Sequence, residues 1–291
     1  MIRNIFKLLR NYIYMVIIAL MNRRCKTKKY YVSICGIFKN EAKYLREWIE
    51  FHRIVGVEHF YLYNNFSSDN YMEILQPYID SKVVTLIDWP HQKGQALAYN
   101  HCLQNFKDQT SWLGFIDLDE FVVPNKYDNV SEWLKKHEKQ PMAFVYWKFF
   151  ASGGNVTENN KALVSETYTL SSCFSSTQKM FFNTSWGDWV KKIRIAHIVK
   201  LKYLGTYVPN DPMLFYGFLK NKKENDIQLN HYYNKSYEYQ VKKKIPNGNV
   251  LENVEYTFDA FYKKEKVCRF PDYNIYPYLV KLKLALAKYK S

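Results

Sequence analysis

The sequence predicts an α/β protein built on a mostly parallel sheet. Short apolar segments with strand character alternate with amphipathic segments of helical period through the first half of the 291-residue chain. This alternation is typical of βαβ units, in which consecutive strands run parallel. A cluster of polar residues follows each of the first four strand-like segments. In parallel sheets such clusters meet beyond the carboxyl ends of the strands, where these folds bind ligands.

Each element of the first half is assigned from its residue pattern. The expected strands are apolar runs bounded by polar residues, and they cover residues 31–38, 58–63, 82–88, 111–116 and 142–149. The expected helices cover residues 41–55, a short stretch that ends near residue 78, and residues 93–106. The first helix has one apolar side, formed by Leu45, Trp48, Ile49 and Val55. Gly56 is expected to end this helix.

Beyond residue 150 the pattern weakens, and residues 160–230 mix short apolar and polar runs. We expect one domain over residues 30–245, in which the second half packs as a further layer against the first. Residues 1–29 are expected to form a basic, apolar, membrane-associating segment. Residues 246–291 are expected to form a basic helical segment.

The net charge of +15 predicts an anionic partner. Basic residues concentrate near the two ends of the chain, and the middle is closer to balance. A nucleic-acid-binding protein is one alternative, but the basic residues are not interleaved with aromatic residues on one platform. We therefore expect no nucleic acid as partner. The 26 tyrosines suit either the stacking of flat, polar-edged ligands such as sugars or the filling of the core.

Residues 12–21 form an apolar run about half as long as the ~20 residues that a transmembrane helix needs. Basic residues flank the run, and no small-residue cleavage site follows it. We expect a helix in the interface of an anionic membrane; a buried N-terminal helix is the alternative. Residues 275–289 carry an apolar stripe that suits either a membrane interface or docking on the domain.

Cysteine usage indicates the compartment. The five cysteines are scattered and show no CxxC spacing, which favours a reducing environment over a disulfide framework. Together with the basic ends of the chain, this predicts a cytoplasmic protein, peripheral on the inner face of the membrane.

Asp117 and Asp119 lie two residues apart at the end of the expected strand 111–116. In a continuing strand this spacing sends both carboxylates to the same side. Such a pair suits Mn²⁺ or Mg²⁺, ions often held by one or two carboxylates together with substrate phosphates; an acidic surface pair is the alternative. Glu120 is expected on the other side, supporting the site or in an ion pair. His231 is a reasonable third ligand, although a single histidine on a strand more often belongs to the core.

Other candidate binding residues share a position at or beside the same expected edge of the sheet. They are Lys39, Asn40, Glu41, Asn64, Asn65, Asp69 and Gln95. A helix start with a lysine beside it suits an anionic nucleotide, and the polar residues after the second strand suit a base or a ribose. The same residues equally fit helix capping and turn formation.

Three blocks of the sequence resemble glycosyltransferase family 92 and its bacterial relatives in the glycosyltransferase 2-like group. They are CGIFKNEAKYLREWIEFHRIVGVEHFYLYNNFSSDN, WLGFIDLDEFVVP and LNHYYNKSYEYQVKKK, and their order and spacing also match. The resemblance implies a GT-A fold, a nucleoside-diphosphate sugar donor (often UDP-galactose) and a divalent metal, usually Mn²⁺. It implies Asp117 and Asp119 as the metal motif, His231 as a further ligand, and displacement with inversion at the anomeric carbon. Residues 150–215 match less well.

An inverting transfer needs a general base for the acceptor hydroxyl, on the face of the sugar opposite the leaving group. Asp188 is the expected base, because Trp186 and Trp189 beside it offer faces on which a sugar can stack. Glu158 and Glu166 are the other candidates.

Lys192 is expected to neutralise the departing diphosphate, with a solvated basic stretch as the alternative. The expected acceptor is a saccharide or a lipid-linked saccharide, such as growing lipopolysaccharide or capsule. A nucleotidyl- or phosphotransferase that uses the same aspartates is the alternative enzyme class, although the sequence contains no P-loop motif.

Overall fold

The computed structural model describes residues 23–159, 161–195, 198–201, 205–207, 226–247 and 257–289, together with scattered positions before residue 23. The predictions for residues 1–22 fall for the most part outside this description. The same is true of residues 196–225, apart from two short strands, so much of the expected second layer is outside it as well.

The strands are β1 (Tyr30–Phe38), β2 (His59–Asn64), β3 (Val84–Asp88), β4 (Thr110–Phe115), β5 (Glu120–Pro124), β6 (Met142–Phe150), β7 (Leu170–Asn183), β8 (Val190–Ile195), β9 (Ile198–Leu201), β10 (Gly205–Tyr207), β11 (Ile227–His231) and β12 (Phe270–Pro271). The helices are α1 (Ala42–Ile54), α2 (Tyr71–Asp80), α3 (Gln95–Phe106), α4 (Val130–Lys135), α5 (Val164–Thr167), α6 (Tyr237–Tyr239), α7 (Ile245–Asn247), α8 (Phe258–Val267) and α9 (Tyr276–Ala287). A 3₁₀ turn covers Thr184–Trp189, and a π turn over Gln240–Lys244 joins α6 to α7.

The central sheet has nine strands in the order β3-β2-β1-β4-β7-β6-β11-β5, and β12 pairs with β7 at its side. Strands β3, β2, β1 and β4 are parallel neighbours, and β6 and β11 form another parallel pair. Only β5 and β7 run opposite to the other strands of this described sheet. The predicted α/β class with a mostly parallel sheet is confirmed.

The carboxyl ends of the first strands meet at one edge, as the sequence pattern predicts. In the register of the sheet, Phe38 lies opposite Asn64, and Asn64 lies opposite Asp88. Strand β4 pairs with β1 on its other side and ends at Phe115, two residues before Asp117. The polar segments that follow these strands therefore begin beside one another.

Helices cover both faces of the sheet because its central strands are apolar on both sides. Val32 and Ile34 of β1 belong to a core shared with α1, α2 and α9, whereas Cys35 and Ile37 belong to a second core shared with α3. Helix α1 ends as predicted at Gly56, whose φ of +95° favours glycine.

The apolar stripe of residues 275–289 is docked on the domain. Ile275, Leu279 and Leu282 are buried in the first core, and α9 packs along α1. Tyr289 donates a hydrogen bond to Glu50 of α1. The docked alternative is thus confirmed for this stripe. Within the described part of the chain, no helix has both the length and the apolar character that crossing a membrane requires.

Candidate active site

Asp117 and Asp119 lie in a tight turn between β4 and β5. The Glu120 N–H donates to the Asp117 carbonyl, and the Asp117 N–H donates to the Glu120 carboxylate at 2.9 Å. The indole N–H of Trp48, on α1, donates to the carbonyls of both Asp117 and Glu120. The chain therefore does not continue as a strand through the aspartates. The two carboxylates have different surroundings because the turn, and not the strand spacing, sets their directions.

The carboxylate of Asp117 is surrounded by donors from the protein. Lys179 of β7 donates to one oxygen at 2.6 Å, and Tyr99 and Gln95 of α3 donate to the other at 2.9 and 3.1 Å. Lys179 also lies 3.3 Å from Glu120, which confirms the ion pair considered for that residue. Gln95 is thus brought to the predicted site.

Electrostatics keep the Lys179 ammonium charged. Burial alone would lower its pKa, but Asp117 and Glu120 raise it above its usual value. Burial raises the pKa of Glu120 well above its usual value, although Lys179 opposes the shift. Lys179 therefore serves mainly as the counterion of Asp117.

Asp119 faces the closing segment, which we define as residues 226–247. Its carboxylate lies 3.4 Å from Nε2 of His231, at the end of β11, and its side chain is 24% exposed. Burial would raise the pKa of Asp119, but His231, Lys244 and Lys235 together lower it below the usual range. Burial lowers the pKa of His231, against the pull of Asp119. The pair thus offers an ionised carboxylate and a neutral imidazole.

These two groups fit a divalent cation. Carboxylate oxygen and neutral imidazole nitrogen are both ligands that Mn²⁺ accepts, and at 3.4 Å they can share one ion. Across the residues that the structure describes, no group of three or more His, Cys, Asp or Glu side chains is arranged to hold a metal. Substrate phosphates would complete such a site, as is usual for ions of this kind. The predicted role of Asp117 as a ligand stays a prediction, since its oxygens already accept bonds from Lys179, Tyr99 and Gln95.

The closing segment also brings lysines to the site. Lys235 is buried, with its ammonium 3.9 Å from the ring centre of Tyr44 and 4.3 Å from that of Tyr239. Lys243 lies 2.9 Å from Glu41 at the start of α1. Burial lowers the pKa of Lys244 to about 7, and Asp119 opposes the shift. The segment therefore adds positive charge beside Asp119.

The polar residues after β1 and β2 are bonded to one another. Asp69 accepts a hydrogen bond from the Ala42 N–H at 2.8 Å, and Asn40, with φ of +55°, accepts one from the Ser68 N–H. Asn64 accepts from the Ser67 N–H, as in a turn. The turn role considered for Asn64 is therefore present in the structure. The capping role considered for Asn40 is not, because Glu41 is the N-cap residue of α1 and Asn40 bonds to the second loop instead. It is Asp69 that accepts a hydrogen bond at the start of α1.

The other candidates at this edge divide into two groups. Asn65 donates to the carbonyls of Trp89 and His91, which ties the second loop to the third. Lys39 is exposed at the end of β1 and remains available to a ligand. Lys192 is also exposed, but it lies on β8, which begins directly after the turn that contains Asp188, and none of its described contacts places it at this edge.

Asp188 is not brought to the aspartate turn. Its carboxylate pairs with Lys107 at 3.1 Å, and Lys107 comes directly after α3, just before β4 begins. Strand β7 is antiparallel to β4 and ends beside its start, so the turn after β7 lies at the opposite end of the sheet from Asp119. The sequence pattern cannot show this, because it depends on the direction in which β7 is added.

The remaining candidate bases are engaged in ion pairs. Glu158 lies 2.9 Å from Lys43 and accepts a hydrogen bond from the Tyr44 hydroxyl. Glu166 lies 2.6 Å from Lys283 of α9. Neither contact identifies a base.

Sequence reasoning missed several residues of the site. Lys179 and Tyr99 were not recognised, because a lysine in a strand and a tyrosine in a helix carry no local signal of a buried partner. The lysines of the closing segment had a signal, since Lys235 and Lys244 lie in the third of the family-like blocks.

Comparison with known proteins gives a family match over most of the chain. The model of the family described as Glycosyltransferase family 92 matches residues 28–275. A glycosyltransferase family 92 protein of Oryza sativa subsp. japonica is 31% identical over 121 residues, which is 41% of this chain and 21% of that protein.

Some of the relatives carry the names of specific enzymes. Galactan beta-1,4-galactosyltransferase GALS3 of Arabidopsis thaliana is 34% identical over 43% of this chain and 29% of its own length. Beta-1,4-galactosyltransferase galt-1 of Caenorhabditis elegans is 35% identical over 33% of this chain and 26% of its own length. The chain thus spans less than a third of these relatives. Among solved structures, S. aureus TarS is 16% identical with a TM-score of 0.35, covering 53% of this chain and 47% of that chain.

Proposed function

The chain belongs to glycosyltransferase family 92, and we propose that it transfers a sugar from a nucleoside-diphosphate donor to a saccharide acceptor. The observation that carries this proposal is the pairing of Asp119 with His231 at the carboxyl edge of the sheet, 3.4 Å apart. At this edge α/β proteins bind nucleotides. The two groups match the ligands of a divalent cation that also binds phosphates.

We propose Mn²⁺, or Mg²⁺, as the cofactor. When bound, it would supply Lewis-acid neutralisation of the charge that grows on the leaving diphosphate. Asp119 and His231 would hold it at the carboxyl edge of the sheet. Asp117 would keep the turn in place through its bonds to Lys179, Tyr99 and Gln95, so that the carboxylate of Asp119 is fixed in direction.

The proposed transfer is a displacement with inversion. The acceptor oxygen forms a bond to the anomeric carbon as the bond from that carbon to the diphosphate oxygen breaks. The electron pair of the broken bond leaves with the diphosphate, and the acceptor hydroxyl gives its proton to a base on the opposite face.

We propose a uridine-linked donor and galactose as the sugar. The support is the presence of named galactosyltransferases among the relatives. The proposed acceptor is a saccharide, lipid-linked in a surface glycan. The basic N-terminal segment and the net charge of +15 support a peripheral position on an anionic membrane at its inner face.

A donor screen tests this function. Purified full-length protein is incubated with each of several nucleoside-diphosphate sugars and Mn²⁺, and the release of free nucleoside diphosphate is measured with and without saccharide acceptors. We expect release from UDP-galactose above the other donors, its loss on addition of EDTA, and its loss in the Asp119→Asn variant. Release that persists in EDTA and in Asp119→Asn would contradict the proposed site, and release of nucleoside monophosphate would indicate a different reaction class.

A further inference from the structure

The closing segment contains a buried ammonium group that the metal pair leaves unused. Lys235 is 1% exposed, and its ammonium lies between the rings of Tyr44 and Tyr239. Among the residues with described positions, none accepts a hydrogen bond from it. The tyrosine faces attract a cation but offer it no acceptor in line with its N–H groups. A buried ammonium without a hydrogen-bond acceptor lowers the stability of the folded protein, and an acceptor from a ligand would offset this loss.

Lys244 is a second buried lysine of the closing segment. It is 6% exposed, donates to the backbone carbonyl of Tyr233, and lies over the Tyr233 ring. Asp119 and Lys235 are both near enough to affect it electrostatically. Lys235 and Lys244 therefore border the same small region beside Asp119.

The nearest acids are committed to other cations. Glu41 pairs with Lys243 at 2.9 Å, and Glu158 pairs with Lys43 at the same distance. Asp119 and Glu41 are both near enough to act on the two buried lysines, but Glu41 already pairs with Lys243. Lys235, Lys243 and Lys244 therefore share two carboxylates. The region has an excess of positive charge and suits an anion with several oxygens.

We propose that Lys235 and Lys244 form the subsite that receives the diphosphate of the donor, beside Asp119. This assignment rests on the proposed function, which requires a leaving diphosphate at this edge. Lysine carries its ammonium on a flexible four-carbon stem, so that of Lys235 can turn from the tyrosine rings toward phosphate oxygens. Asp119 is 24% exposed, which gives the anion access. The two lysines stabilise the charge that the diphosphate gains when the bond to the sugar breaks.

Inorganic pyrophosphate is a probe for this subsite, because it carries the diphosphate without a nucleoside or a sugar. Its affinity is measured from the shift in melting temperature of the full chain, in EDTA and at constant ionic strength. The variants are Lys235→Met and Lys244→Met, which keep most of the unbranched side chain and remove the charge. Lys126→Met is the matched control, because Lys126 is 63% exposed in a surface ion pair with Asp226 at the other end of β5.

We expect pyrophosphate to stabilise the wild type and the control equally. Each buried-lysine variant should bind it roughly tenfold or more weakly, the loss expected for a hydrogen bond between charged groups. If Lys235→Met does not fold, the pyrophosphate affinity of Lys244→Met alone tests the subsite. Wild-type affinity in both folded variants, or no stabilisation of the wild type, would overturn the subsite.

The same set of proteins separates this inference from the proposed function. In one outcome the wild type turns over nucleotide sugars, and its lysine variants bind pyrophosphate as tightly as the wild type does. This outcome would refute the subsite but not the proposed function. Loss of pyrophosphate binding in the variants, without turnover of any nucleotide sugar by the wild type, would refute the function and leave an anion site.

Discussion

The strand-end loops of the first half and the closing segment border the same edge of the sheet, but they contain polar side chains that differ in how they are bonded. In the loops, Asn40 and one oxygen of Asp69 bond to backbone groups of the neighbouring loop, and Asn64 bonds to the backbone of its own turn. In the closing segment, Lys235 has no acceptor, and Nδ1 of His231 has no hydrogen-bond partner, within the described residues.

The difference separates polar residues that build the edge from those that are available to a ligand. A polar group that is already bonded contributes to stability, and its loss is felt in folding. A buried charge without full compensation lowers stability and is expected where a ligand completes it. The two aspartates of the turn differ in the same way. Asp117 accepts hydrogen bonds from three side chains, whereas Asp119 lies 3.4 Å from His231 and beside Lys235 and Lys244.

Replacing Lys179 with methionine should give the largest loss of stability. The change leaves the partly exposed Asp117 and the buried Glu120 beside each other without the buried cation that lies close to both. We expect the free energy of unfolding to fall by about 3–5 kcal/mol, measured by urea denaturation. Lys126→Met, which breaks an exposed ion pair, is the control and should cost less than about 1 kcal/mol. Equal effects of the two changes would show that the Asp117 side of the turn is not held by Lys179.

Replacing Asp119 with asparagine should reduce activity and leave stability almost unchanged. The change keeps the shape of the side chain but removes the charge that faces His231. We expect sugar transfer to slow by about 100-fold or more, with little change in the free energy of unfolding. The measurement is the initial rate under saturating donor, alongside urea denaturation. A fully active variant would remove Asp119 from the site.

Replacing Asp69 with alanine tests the loops. The variant loses the acceptor for the Ala42 N–H at the start of α1. We expect the free energy of unfolding to fall by about 1–2 kcal/mol, with a transfer rate close to that of the wild type at temperatures well below melting. Asp69→Asn keeps an acceptor oxygen and should lose less. Loss of activity in a fully folded Asp69→Ala protein would instead place this residue in nucleotide binding.

Replacing His59, in β2, should have the smallest effect on the free energy of unfolding, and only at acidic pH. Burial lowers the pKa of His59 from 6.5 to about 4, while its ring bonds to Lys82 and Thr85. In the unfolded chain His59 takes up a proton near pH 6.5, whereas in the folded chain it does so only near pH 4. The contribution of His59 to the free energy of unfolding is therefore fully present above pH 6.5 and is lost as the pH decreases from 6.5 to 4. We expect His59 to contribute a loss of about 1 kcal/mol between pH 7 and 5.5. His59→Gln should show a shallower pH dependence in urea denaturation, and an unchanged slope would exclude His59 as its source.

Much of the first half could be predicted because its signals are local. The expected helix over residues 93–106 matches α3 closely, and the expected strand over residues 31–38 matches β1. The alternation of apolar segments predicts these elements from the local sequence. Because residues that follow parallel strands meet at the carboxyl edge of the sheet, the position of Asp117 at this edge also follows.

The partners of the aspartates could not be predicted in the same way. Lys179 reaches Asp117 only because β7 is inserted antiparallel between β4 and β6. The same insertion carries Asp188 to the opposite end of the sheet. Strand direction depends on long-range pairing, which leaves no period or motif in the local sequence.

Calorimetric titration of UDP into the wild type, in Mn²⁺ and in EDTA, tests the central claim most directly, because it measures whether metal and nucleotide share the site of Asp119 and His231. We predict that UDP binds at least tenfold more tightly in Mn²⁺ than in EDTA, a difference of about 1.4 kcal/mol or more. We further predict that His231→Ala and Asp119→Asn each abolish this difference. Equal affinity for UDP with and without the metal, or a metal effect that survives in both variants, would contradict the account.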